Sequence, residues 1–196
     1  MANLITLDEY KESQGLSDLK NDDRLESLIT SVSQLVKTYC ANTFVDYFSS
    51  DKTEYFNVEW DSDVIQLTES PLVSVTSVSE RISYGSDYVA LTEAAFEFYV
   101  DLQTDSLMRT TSSGYKNWAS GPGAVKVLYK AGYEDIPADL RLAVYDLVKY
   151  YFKEEYKPSK SLMSAHISNE TSSSQWRNVS FPDHIKRVLD LYKQQI

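Results

Sequence analysis

Apolar positions in this 196-residue chain recur every three or four residues at its two ends, and through its middle they fall in short β-rich runs. The clearest helical stretch is AGYEDIPADLRLAVYDLVKYYFKEEYK, from Ala131 to Lys157. Leu140, Ala143, Val144, Leu147, Val148, Tyr151 and Phe152 draw a broad apolar stripe, and Arg141, Asp146, Lys149 and Lys153 stay off it. Asp135 and Ile136 are expected at the cap, with Pro137 in the first helical position, where its missing N–H costs nothing. Pro158 closes the pattern, because the residue before a proline avoids the helical region. The spacing therefore predicts a helix over 137–156 that must bury its stripe. Its natural partner is the stretch of Leu25, Leu28, Ile29, Val32, Leu35, Val36 and Tyr39, a helix capped by Asp22 or Asp23 and running to about Asn42. Thr6-Leu7-Asp8-Glu9 matches a capping box and Gly15 suits a helix end, which predicts a short helix over 7–13. A final helix opens at Pro182, with Ile185, Val188, Leu189 and Tyr192 on one face.

Between Thr43 and Tyr133 the texture changes. Runs rich in β-branched and aromatic residues appear at 53–58, 64–67, 73–78, 88–91, 96–100, 106–111 and 124–129. Turn residues separate them, among them Ser70-Pro71, Tyr84-Gly85-Ser86-Asp87 and Gly121-Pro122-Gly123. Residues 158–180 are rich in serine and poor in large apolar groups, the composition of a linker or arm. The expected fold class is α+β, with an antiparallel β-sheet or small barrel inserted into a helical core. The expected division is a helical core over 1–44 and 131–157, an inserted β domain over 45–130, and an arm with a terminal helix over 158–196.

Charge and composition narrow the function classes. The net charge is −10, and residues 45–130 hold thirteen acids against six bases. Such a surface repels phosphates, which argues against a DNA-reading role. No stretch approaches the roughly 20 apolar residues of a membrane span. The opening MANLITLDEYKESQ lacks a basic start and an apolar run, so synthesis in the cytoplasm is expected. Cys40 is the single cysteine and reads as a small packed residue, with no intrachain disulfide or thiolate metal cluster available to it.

Catalytic signatures are missing. His166 and His184 stand beside no nucleophile motif, and the six glycines form neither a dinucleotide nor a phosphate-loop pattern. Glu59, Asp61 and Asp63 make the densest acidic cluster, EWDSD. Paired carboxylates serve glycosidases and calcium sites, but the calcium-loop spacing is absent and a solvated turn explains the cluster more simply. No catalytic, cofactor-binding or metal-binding residue is assigned. Fifteen tyrosines and three tryptophans exceed what a small β domain buries, which points to an assembling surface. Trp176, alone in the polar segment, either meets a partner or folds back on its own domain.

Several local patterns, taken in order, resemble the head–tail connector (adaptor) family of tailed bacteriophages. ITLDEYKE is similar to that family's N-terminal helix, and NDDRLESLITSVSQLVKTYCANTF to its first long helix, ending near a Thr-Phe. VIQLTESPLVSVTSV resembles its strand–Ser-Pro–strand pattern. VKVLYKAGYEDIPADLRLAVYDLVKYYF, a strand leading through Ala-Gly-Tyr into a proline-initiated helix, is the strongest match. FPDHIKRVLDLYK is similar to the closing helix. The acidic 45–63 region and the serine-rich arm match poorly. The resemblance implies a structural protein of the virion's head–tail junction, without enzymatic activity. It implies a homo-oligomeric ring of about twelve subunits that docks under the portal protein and leads to a tail, stopper or nozzle protein. DNA would pass through the lumen without sequence-specific binding, and no membrane is involved. Trp176, Phe181, Ile185, Leu189 and Tyr192 are the residues expected to meet the portal or a neighbour. Two other classes stay open: another neck or tail completion (stopper) protein, and an enzyme or ligand-binding domain using the EWDSD carboxylates.

Overall fold

The computed structural model of the chain describes residues 2–17, 19–153 and 182–193. These form two compact units, one helical, drawn from 3–40 and the described parts of 137–193, and one β-rich, built on 41–136.

The helical unit contains α1 (Leu7–Gln14), α2 (Asp22–Cys40), α3 (Ala138–Phe152) and α4 (Asp183–Leu191). The capping box at Thr6 is complete. The Glu9 amide donates to Thr6 Oγ1 at 3.2 Å, and the Thr6 amide donates to Glu9 Oε2 at 2.7 Å. Gly15 ends α1 at φ 64°, a left-handed conformation that costs glycine nothing. Leu25, Ile29, Val32 and Val36 of α2 face Leu140, Val144, Leu147 and Val148 of α3, and every one of them is buried. Pro137 and Pro182 each sit one residue before the first helical residue, as N-caps with ψ of 145° and 138°. Their carbonyls accept the first helical bonds, from the Arg141 amide at 2.9 Å and the Lys186 amide at 3.0 Å, while their own backbone stays extended.

Eight strands make the β-rich unit: β1 (Lys52–Val58), β2 (Val64–Gln66), β3 (Leu72–Glu80), β4 (Val89–Leu91), β5 (Phe98–Asp101), β6 (Ser106–Thr111), β7 (Gly114–Tyr115) and β8 (Gly121–Ala131). They form two antiparallel sheets, ordered β1-β8-β3-β4 and β2-β6-β5, with β7 paired to β6. Both sheets are open, so the barrel alternative does not hold. Phe96 does not open β5 as the β-rich run 96–100 suggested. It closes a short 3-10 turn at φ 57°, and the strand begins two residues later at Phe98. The Gly121-Pro122-Gly123 turn signal lies inside β8, where the register against β1 shifts and Asn57 Oδ1 accepts the Gly123 amide at 2.7 Å.

The inner faces of the two sheets share one core. Ile65, Phe98 and Leu107 come from the smaller sheet, and Val78, Val125 and Val127 from the larger. One ion pair crosses this core. Arg109 of β6 donates from Nη2 to Glu80 Oε1 at 2.8 Å and from Nε to Glu80 Oε2 at 3.2 Å, with the Trp118 ring 5.9 Å away. At one end of the unit three loops meet. The Glu69 carboxylate accepts the Thr43 amide at 2.9 Å, the Gly132 amide donates to the Pro71 carbonyl at 2.8 Å, and the Tyr133 amide donates to the Phe44 carbonyl at 2.6 Å. Three of the segments that carried the family resemblance (Thr43-Phe44, Ser70-Pro71 and Ala131-Gly132-Tyr133) are thus parts of one junction.

Candidate partner interface

Of the five residues expected to meet a partner, Trp176 and Phe181 lie outside the described residues. Ile185 and Leu189 are buried in the helical unit, on the face α4 turns toward α2 and α3. Two tyrosine–carboxylate bonds clasp the same helix. Tyr39 of α2 donates to Asp190 Oδ1 at 2.6 Å, and Tyr192, half-buried at the end of α4, donates to Asp139 Oδ1 at 2.6 Å. Burial, with the Asp190 bond second, pushes the Tyr39 hydroxyl up to about 12. The Tyr192 bond is the main cause that holds Asp139 below the usual carboxylate range. The outward side of α4 carries Leu191, 77% exposed, which the helical pattern gave no reason to single out.

Cys40, at the end of α2, is fully buried with its Sγ 3.5 Å from the Leu189 carbonyl. Burial pushes its thiol up to about 12, so the nucleophilic thiolate is scarce at neutral pH. The folded protein should therefore leave Cys40 unlabelled by a disulfide reagent at pH 8, and denaturant should release one thiol per chain. Rapid stoichiometric labelling of the native protein would contradict this packing.

The acidic cluster makes no converging site. Glu59, Asp61 and Asp63 are all exposed between β1 and β2, and Asp61, at φ 77°, accepts a bond from Asn117 Nδ2 at 2.7 Å. Among the described residues no three His, Cys, Asp or Glu side chains are placed to hold a metal ion, and no helix is long and apolar enough to cross a membrane. His184 is exposed in the first turn of α4, and His166 lies outside the described residues.

Several exposed aromatics stand on or beside the outward faces of the two sheets, and Trp60 is exposed in the turn after β1. On the four-stranded sheet, Lys126, Leu128 and Lys130 of β8 point away from the core, beside Thr53, Tyr55 and Asn57 of β1. Register places Ser74, Ser77 and Ser79 of β3 on the same face. The Lys126 ammonium lies 6.0 Å from the Tyr55 ring, Tyr55 packs 6.2 Å from Tyr88, and the Arg81 guanidinium stacks on Tyr84 and Tyr88 at 4.9 and 5.0 Å. On the smaller sheet, Val64, Met108 and Tyr99 stand in one row across β2, β6 and β5. Met108 and Tyr99, with Phe96 and Tyr115, border a groove of about 630 Å³ whose one ionisable wall residue besides tyrosine is Glu93. Only pairing register reveals these rows, since each strand alone shows two faces and not which of them is outward.

Comparison with curated proteins finds no match. Among solved structures, the fold is similar to a chain of the neck of an empty gene transfer agent particle computed with C6 symmetry. That likeness has a TM-score of 0.60 at 14% identity over 98% of this chain and 91% of that one. It is also similar to a chain of the native particle's neck computed with C12 symmetry, with a TM-score of 0.58 at 13% identity over 97% of this chain and 88% of the other. A chain of the native gene transfer agent virion gives a TM-score of 0.62 at 13% identity, covering 98% and 91%. The head completion protein family matches residues 3–195, so the chain belongs to that family.

Proposed function

We propose that this chain is a structural connector of the head–tail neck. It assembles as a ring of about twelve copies beneath the portal and continues the DNA channel toward the tail. The observation that carries the reading is the family match over residues 3–195. It is supported by a fold similar along 98% of the chain to neck proteins from symmetric assemblies. The packing favours the same role: both units are closed around apolar cores, the acidic turn converges on nothing, and large aromatics are held outward. In this reading the C-terminal segment contacts the portal through Trp176, Phe181, Tyr192 and the exposed Leu191, while Ile185 and Leu189 anchor α4 to its own unit. The excess of acids in 45–130 keeps DNA from adhering to the channel wall. Co-sedimentation of the purified protein with the cognate portal ring tests the reading. The protein should travel with the portal, and Trp176→Ala/Leu191→Glu, which leaves the buried Ile185 and Leu189 in place, should leave it behind. A full-length protein that never moves with the portal contradicts the proposal.

A further inference from the structure

A closed ring joins each copy to the next through two different patches on opposite flanks of the chain. The two sheets of the β-rich unit meet through one core, so their outward faces point in opposite directions. These faces differ in charge. Residues 41–136 hold fifteen acids and six bases. Two of those bases are held by pairs with acids of the same unit, Lys52 with Glu69 at 3.2 Å and Arg109 with Glu80 at 2.8 Å. Of the other four, Lys126 and Lys130 stand on the outward face of the larger sheet, Arg81 at its margin, and Lys116 lies just past β7. The outward strand positions of β1, β3 and β8 on that face carry no carboxylate; Asp51, one residue before β1 and opposite Lys130, accepts the Thr76 hydroxyl at 2.8 Å. The opposite face presents the Val64–Met108–Tyr99 row with Glu93, Glu97 and Asp101 around it, and its strand positions carry no lysine or outward arginine. Both faces are open to solvent: Tyr55 on the first is 57% exposed and Tyr99 on the second 55%. In a unit with more than twice as many acids as bases, such sorting leaves one cationic, hydroxyl-rich aromatic face and one acidic, apolar face on the same molecule.

We propose that these two faces are the two halves of the contact between neighbouring copies. The Lys126–Tyr55–Lys130 face of one chain covers the Tyr99–Met108–Glu93 face of the next. This rests on the ring reading above and names the surface that forms the ring. The occupant is a second copy because both complementary surfaces belong to one chain, and opposite charge across a contact selects partner and register.

Charge exchange tests it on the full-length protein, with assembly mass read by light scattering. Lys126→Glu/Lys130→Glu makes both faces acidic. Val64→Lys/Gln66→Lys/Glu93→Lys makes the second face basic, with three lysines against Glu97 and Asp101, and lysine at 66 keeps a donor where Gln66 Nε2 reaches the Thr104 and Asp105 carbonyls. Each variant should melt like wild type yet need at least about tenfold more protein to assemble. An equimolar mixture of the two should regain wild-type assembly, because every contact in an alternating ring again joins opposite charges. Variants that assemble like wild type, or a mixture that stays dissociated, overturn the proposal while leaving the ring reading intact. Loss of duplex DNA retention by Lys126→Glu/Lys130→Glu, with assembly unchanged, also overturns it and assigns the face to a polyanion. A wild-type protein that stays monomeric at every concentration and beside the portal overturns the ring reading and this inference together.

Discussion

Replacing Gly132 with alanine should destabilise the β-rich unit by more than about 3 kcal/mol, a loss expected from left-handed strain plus a backbone clash. Gly132 has φ 105°, a conformation that side chains rarely adopt. A methyl group built there would lie 2.9 Å from the Phe44 carbonyl carbon and closer still to its oxygen. That oxygen is not free to move, since it accepts the Tyr133 amide at 2.6 Å, and the Gly132 amide is itself held by the Pro71 carbonyl at 2.8 Å. Relief therefore requires breaking the junction that joins the end of β8 to the 42–44 and 69–71 loops. Equilibrium denaturation of the variant checks this directly. A midpoint within about 1 kcal/mol of wild type would mean that the junction yields easily, contrary to the bonds described.

Arg109→Met should cost about 3–5 kcal/mol, the usual effect of removing one partner of a buried ion pair. The guanidinium side chain is 4% exposed and that of Glu80 14%, and the two are joined by two parallel bonds between sheets. Arg109 Nη1 also donates to the backbone carbonyls of Glu97 and of Thr110, the latter at 3.0 Å. Methionine fills the volume but leaves the Glu80 carboxylate without its cation inside the sandwich. The companion variant Arg109→Met/Glu80→Leu separates this cause from lost packing. It should recover most of the stability, because replacing both partners removes the stranded charge. If the double variant is as unstable as the single one, the loss lies in the backbone carbonyls and not in the ion pair.

These two sites also mark where sequence reasoning stops. The helices were legible because their determinants are local: Thr6 and Glu9 are three residues apart, Gly15 ends α1 one residue past Gln14, and the stripe of α3 repeats within a single element. Ser106–Thr111 was legible because the run holds no glycine or proline and is bounded by turn residues, Thr104-Asp105 before it and Ser112-Ser113-Gly114 after it. By contrast, β7 has only two residues and exists because Tyr115 and Gly114 pair with Thr110 and Thr111. Phe96 shows β propensity but takes a left-handed turn set by the 3-10 residues before it. The Arg109–Glu80 pair joins positions 29 residues apart, and the charge sorting of the outward faces depends on register across several strands. The apolar face of α4 could be read from its spacing, but the spacing is the same whether that face packs inward or meets a partner. The burial of Ile185 and Leu189 shows that this face packs inward within the chain.

The role as a ring-forming neck connector is tested most directly by electron microscopy of the cognate portal imaged with and without this protein. The portal should gain a collar of density on its tail-facing side, with class averages showing about twelve evenly spaced subunits around an open channel. A portal whose averages are unchanged by saturating protein, with the added chain remaining as isolated particles, would contradict it.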